Sequence, residues 1–255
     1  IIFLILLPLA IGEAWISLVV EMMALAILAT SLNILIGYGG MVNFGHAAYY
    51  GIGAYTCALL LKKAGVPFLL AMTAAPICSA VGALFIGWFC VRLSHIYFAM
   101  LTLAFGMMVH TIIWQWDRLT GGADGLVNIP RPDRNFFLFK VDLSSIASYY
   151  YFTLILVAIA LYVLWVIVNS HFGLALKAVR ENSERVQFVG INVRRYRLIS
   201  FVISGFFCGL AGALFGPFLK SITPSIAFWT KSAEPVFMSL LGGTKIFLAP
   251  AVGSV

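Results

Sequence analysis

Charge is scarce in this 255-residue chain: Asp, Glu, Lys and Arg make up 10% of it, against about 25% in an ordinary soluble domain. Hydrophobic residues reach 62%, and that much apolar surface cannot be hidden in one soluble core of this size. Cysteine is sparse too. Cys57, Cys78, Cys90 and Cys208 lie singly within apolar runs, without metal-ligand spacing, and read as free thiols behaving as small apolar residues. Segments of about ten strictly alternating residues are missing, which excludes a transmembrane β-barrel. Catalytic signatures are missing as well. The chain has no H-E-x-x-H, no G-x-S-x-G and no G-x-x-x-x-G-K-[ST] phosphate loop. The net charge of +7 is scattered between apolar runs and forms no basic stripe, so nucleic acid is not a partner.

What is present is apolar length. Measured against the roughly 20 residues that span a bilayer, the chain gives spans near 14–36, 45–61, 66–91, 95–116, 149–170 and 199–219. A partial span lies at 1–11, and a last one starts near 235. The chain starts at Ile1 without Met and stops at Val255 in an apolar stretch, so both ends read as cut. The expectation is an all-α integral membrane protein, a polytopic helix bundle of about eight spans in one domain over 1–255.

Two polar connections interrupt it. Segment 117–148 balances Asp117, Asp124, Asp133 and Asp142 against Arg118, Arg131, Arg134 and Lys140, contains Gly121-Gly122 and Pro130-Arg131-Pro132, and reads as an irregular external loop. Segment 171–198 sets Lys177, Arg180, Arg185, Arg194, Arg195 and Arg197 against Glu181 and Glu184. This local density of positives makes 171–198 the cytoplasmic candidate, although the connections of the chain, Lys245 in the last apolar stretch aside, give only seven positives on that side against eight on the other. Leu174, Lys177, Ala178, Glu181 and Arg185 follow helical spacing, with Gly190 as a stop before a turn at Asn192. Short amphipathic helices of this kind either lie on membrane lipid or dock a cytoplasmic partner.

Glycine supplies the remaining signals. Gly37, Gly39, Gly40 and Gly45, with Asn43 and His46, break an otherwise continuous apolar stretch. Irregular backbone at membrane depth is tolerated only where protein buries it or water reaches it, and transporters build midplane sites from such broken helices. A second break falls at Gly242-Gly243-Thr244 before Ala249-Pro250. Gly205, Gly209, Gly212 and Gly216 share one narrow helix face, a seam for close helix packing. Glu21 and Asn33 lie inside a span and must face protein or water. His110 and Gln115, flanked by Trp114 and Trp116, mark the far end of another.

Taken together, N-F-G-H-A-A-Y-Y-G-I-G-A-Y within 37–60, I-Y-F-A-M-L-T-L-A-F and L-T-G-G-A-D-G-L within 96–132, and F-G-L-A-L-K-A-V-R-E-N with G-I-N-V-R-R-Y within 172–217 resemble the LivM-type membrane permease subunits of branched-chain amino acid ABC importers. The stretch from Thr244 to Pro250 departs from the family, which reads small and glycine-rich there. The resemblance implies a bacterial inner-membrane importer working by alternating access. Its partners are a homologous second permease subunit, two cytoplasmic ATP-binding subunits that hydrolyse ATP, and a periplasmic substrate-binding protein. No cofactor or metal is implied. The family's ATPase-contact loop maps onto Lys177, Arg180, Glu181, Asn182, Ser183 and Arg185, and the translocation pathway is placed at Asn43, Phe44, His46 and Tyr49. Permeases for urea, short amides or aromatic acids share the resemblance. A secondary transporter or channel is the alternative of another class, and the sequence shows no paired intramembrane carboxylate–base relay for one.

Overall fold

The computed structural model describes residues 12–130, 145–243 and 246–253. The expected partial span at 1–11, residues 131–144 of the polar loop, and Thr244-Lys245 of the second break fall outside the described residues.

Helices dominate, in the order the hydropathy requires: α1 (Glu13–Asn33), α2 (His46–Lys62), α3 (Phe68–Cys90), α4 (His95–Gln115), the short α5 (Asp117–Thr120), α6 (Ile146–Asn169), α7 (His171–Glu181), α8 (Ser183–Phe188), α9 (Val193–Leu219), α10 (Trp229–Gly242) and the short α11 (Ala249–Val252). Five segments are long and apolar enough to cross a bilayer: Trp15–Tyr38, Phe68–Cys90, His95–Gln115, Ile146–Asn169 and Val193–Leu219. Each agrees with a span read from the sequence to within six residues at either end. The protein is an all-helical membrane protein. The expected span at 45–61 is α2, a 17-residue helix at the centre of the bundle rather than on its lipid face.

The core forms around α9. Its glycine seam lies against α2 and α3, and there a side chain has no room. A Cβ on Gly209 would sit 2.3 Å from Ser79 Cβ, and one on Gly53 of α2 would sit 2.2 Å from the Gly209 carbonyl oxygen. Such contact brings backbones together and lets polar groups bond between helices. Ser79 Oγ lies 2.9 Å from the carbonyls of both Tyr49 and Gly205. Ser204 donates to Ser31 O at 2.6 Å, and Tyr149 donates to Leu214 O at 2.6 Å.

At one end of the bundle, β1 (Leu126–Val127) pairs antiparallel with β2 (Ser221–Ile222) in the register Leu126↔Ile222. Lys62 Nζ donates to Val127 O at 2.7 Å and Lys63 Nζ to Leu119 O at 2.9 Å, fastening α2 to this loop. At the opposite end, α7, α8 and the start of α9 enclose a separate small core of Val179, Val186 and Val193.

The last span differs from expectation. Its helix begins earlier, at Trp229, and stops after 14 residues at Gly243, whose φ of +101° no ordinary helical residue adopts. α11 folds back on α10: the Ala249 carbonyl lies where a Gly242 side chain would be, and the Met238 carbonyl where one on Gly253 would be. The hydropathy near 235 adds two short antiparallel pieces into one apparent run.

Candidate functional site

The glycine-rich break starts with a change of helical pitch. α1 passes into a π-helical turn over Ile34–Tyr38, closed by Gly39 N–H on Ile34 O at 3.0 Å and Met41 N–H on Leu35 O at 2.8 Å. Single π turns of this kind are frequent at functional sites. Gly40 then takes a φ of +65°, and Asn43 Oδ1 accepts from Gly45 N–H at 2.9 Å just before α2 begins.

Asn43, His46 and Tyr49 are fully buried, and Phe44 is half-buried. The structure brings them together as packed interior. Tyr49 meets His46 and Phe201 edge to face at 6.2 and 5.5 Å. Ser31 Oγ donates to Leu28 O at 2.8 Å and lies 3.0 Å from His46 Nε2. His46 thus faces the Ser31 hydroxyl through Nε2, while Nδ1 meets no partner. Cys208 Sγ contacts the His46 carbonyl at 3.2 Å. Several buried polar atoms have no partner: His46 Nδ1, Asn43 Nδ2, both amide atoms of Asn33, and the Tyr50 hydroxyl. Such groups are costly in a low-dielectric interior, and here they cluster along α1, the break and α2.

The amphipathic segment takes the two-helix form read from its sequence. Asn182 ends α7 and caps α8, its Oδ1 accepting from Arg185 N–H at 2.9 Å, and Gly190 turns the chain at φ +88°. Phe172 stacks on Tyr196 at 5.4 Å, pinning α7 to α9. The predicted contact residues divide into two groups. Arg180, Glu181, Asn182 and Arg185 are exposed and Lys177 and Ser183 are half-buried, and of these Lys177 and Arg180 also reach back to the break. The Arg180 guanidinium donates to the Gly37 carbonyl, and Lys177 Nζ lies 5.1 Å above the Tyr38 ring. A cleft of about 420 Å³ lies at this junction, lined by Gly37, Tyr38, Lys177, Arg180 and Glu181. Gly40 fits because a Cβ there would come within 2.9 Å of Arg180 Cγ.

Two features escaped the sequence reading. Phe188 and Val189 are 91% and 80% exposed at the tip of α8. The available signal was an apolar pair directly before the turn at Gly190. Lys231 and Glu234 of α10 form an ion pair with Nζ 2.7 Å from Oε2, signalled only by opposite charges three residues apart in an apolar stretch.

Residues 15–255 match the family model described as "Branched-chain amino acid transport system / permease component". The chain is similar to the LivM high-affinity branched-chain amino acid transport permease of Escherichia coli K12, at 29% identity across 92% of this chain and 60% of that protein. It is also 29% identical to a probable LivH permease of Methanocaldococcus jannaschii, over 79% of this chain and 64% of the relative. A nucleoside ABC transporter permease, NupC of Lactococcus lactis, matches at 26% over 69% of this chain and 59% of NupC. No solved structure matches significantly. The chain thus spans about three fifths of the length of the LivM relative. The match covers the π turn, the break and α7–α8 alike, and on it the chain belongs to the permease-component family of branched-chain amino acid transport systems.

Proposed function

We propose that this chain is the membrane-spanning part of a permease subunit in an ATP-driven importer of branched-chain amino acids. A homologous permease subunit pairs with it, two cytoplasmic ATP-binding subunits power it, and a periplasmic binding protein delivers substrate in a bacterial inner membrane. The whole is a polytopic bundle of about eight spans, to which the described residues contribute the five long helices and the shorter α2. The loop 117–148 is periplasmic and 171–198 is the cytoplasmic coupling element.

One observation carries this reading: Arg180 and Lys177 join the α7 helix to the π turn that opens the glycine-rich break. A push on α7–α8 then reaches α1 without crossing flexible chain. Coupling requires a rigid element whose two arrangements an effector biases, and the separate Val179–Val186–Val193 core gives the α7–α8 unit its rigidity. Its exposed surface, Glu181, Asn182, Arg185 and the Phe188-Val189 tip, is where an ATP-binding subunit sits. Tip residues so apolar and so exposed are typical of a covered contact. Asn43, Phe44, His46 and Tyr49 line the path once α2 parts from α1 and α9, and Asn43 Nδ2 and His46 Nδ1 then gain partners. A nucleoside permease among the relatives fits a pathway in which the binding protein sets most of the specificity.

The test is the double variant R180A/E181A in the reconstituted importer. ATP hydrolysis should persist while uptake falls at least tenfold. Unchanged uptake at an unchanged hydrolysis rate would overturn the coupling role.

A further inference from the structure

The Lys231–Glu234 pair is the one ion pair among the described residues, and its depth makes it informative. Ser232, between the two, is buried, and its hydroxyl accepts from Ala47 N–H at 2.7 Å. Ala47 follows His46, whose ring meets Ser31 of α1 at 3.0 Å. Ser31 is sixteen residues past Trp15 and seven before Tyr38, the ends of that span. At 1.5 Å per residue this places the level about 24 Å from one end of the span and about 10 Å from the other. The pair therefore lies at membrane depth rather than among headgroups.

It is also partly open, with the Lys231 side chain 19% and the Glu234 side chain 43% exposed. Charge at such depth faces protein or water and not hydrocarbon. The start of the same segment has a matching character. A cavity of about 320 Å³ is lined by His110, Trp114, Thr223, Ser225 and Phe228, among others. The Thr223 and Ser225 hydroxyls meet at 2.7 Å, and Lys231 N–H donates to Phe228 O at 3.0 Å, one turn beyond the cavity wall. Further along, Glu21 and Glu234 are both within electrostatic range of the unpartnered Tyr50 hydroxyl.

We propose that Lys231 and Glu234 form a station for a zwitterion on the translocation route, reached from the His110–Phe228 cavity. The inference rests on the amino-acid importer reading above and names the substrate class. A zwitterion places its carboxylate on the Lys231 ammonium and its ammonium on the Glu234 carboxylate. One ion pair becomes two, no covalent bond is made or broken, and no charge is left unpaired at depth, where an uncompensated charge is strongly unfavourable. A lone anion or cation would leave one protein charge exposed, and urea or an amide has no full charge with which to replace either partner. The site thus favours solutes that carry both charges.

The deciding experiment measures leucine uptake by the complete importer in proteoliposomes, comparing the wild type with the neutral double variant K231M/E234Q. Removing both charges leaves no unpaired ion at depth, so the complex should assemble in normal yield with unchanged basal ATP hydrolysis while uptake falls at least tenfold. The exchanged pair K231E/E234K should recover at least threefold over the neutral variant, because a zwitterion can bind it in the reverse sense. A fall of less than tenfold in K231M/E234Q would overturn the proposal. Failure of that variant to assemble would overturn it too, since the pair would then be a structural tie. No leucine uptake by the wild-type complex would instead refute the amino-acid reading, and the station with it.

Discussion

α9 and α6 are both long, apolar helices that cross the bundle, yet they end in opposite environments. The most apolar stretch of α9 is 67% buried inside the chain, that of α6 only 28%. Hydropathy does not separate them, because hydrocarbon tails solvate Leu and Ile as well as a protein interior does. Small residues do. α9 carries Gly205, Gly209, Gly212 and Gly216 on one face, whereas Ile146–Asn169 contains no glycine and presents Ile155, Ile159 and Tyr162 outward. For this pair of helices, apolar length places both in the membrane, and glycine spacing separates the core helix from the outer one.

The sharpest way to break that contrast is G209L. The new side chain would have to displace Ser79 and the Pro76 backbone, so the variant should lose more than about 3 kcal/mol of stability through overpacking. A melting curve of the detergent-solubilised complex matching wild type would mean the seam is not a close contact. S79A should have a smaller effect. It removes the hydroxyl shared between Tyr49 O and Gly205 O and should cost about 1 kcal/mol, read as a modest fall in melting temperature, and a shift as large as that of G209L would place the energy in the hydroxyl instead of the glycines. The smallest effect belongs to I159A on α6, 59% exposed, which should stay within about 0.5 kcal/mol. A clear destabilisation of the assembled complex by I159A would sharpen the comparison, marking α6 as a face covered by the second permease subunit rather than by lipid.

The sequence disclosed what is local. Six helices follow from apolar length, the α9 seam from glycine spacing, and a short amphipathic helical segment ending at Gly190 from helical periodicity and a stop signal, while the break at Asn182 does not. Two things were hidden. Asn43, His46 and Tyr49 read as polar or aromatic groups at a break, but whether such a group faces a path or a packed interior depends on α9, and Cys208 reaches the His46 carbonyl across 162 residues. Arg180 reads as a residue facing a partner and is exposed, but its guanidinium also donates to the Gly37 carbonyl, 143 residues away, which no local pattern discloses. The hairpin of α10 and α11 was obscured because hydropathy cannot tell one continuous span from two short antiparallel pieces of equal total length. The charges Lys231 and Glu234 took on meaning only once Ser232 was seen bonded to Ala47.

The account depends most on the company this chain keeps. Affinity purification of the tagged protein from native membranes, with mass spectrometry of whatever accompanies it, measures that directly. The account predicts a homologous permease and ATP-binding subunits in the same complex, with the ATP-binding subunits depleted from a variant in which Phe188 and Val189 are both changed to Asp. A solitary chain, or a homo-oligomer with no ATP-binding subunit under conditions that preserve membrane complexes, would contradict the importer reading and point to a self-sufficient transporter.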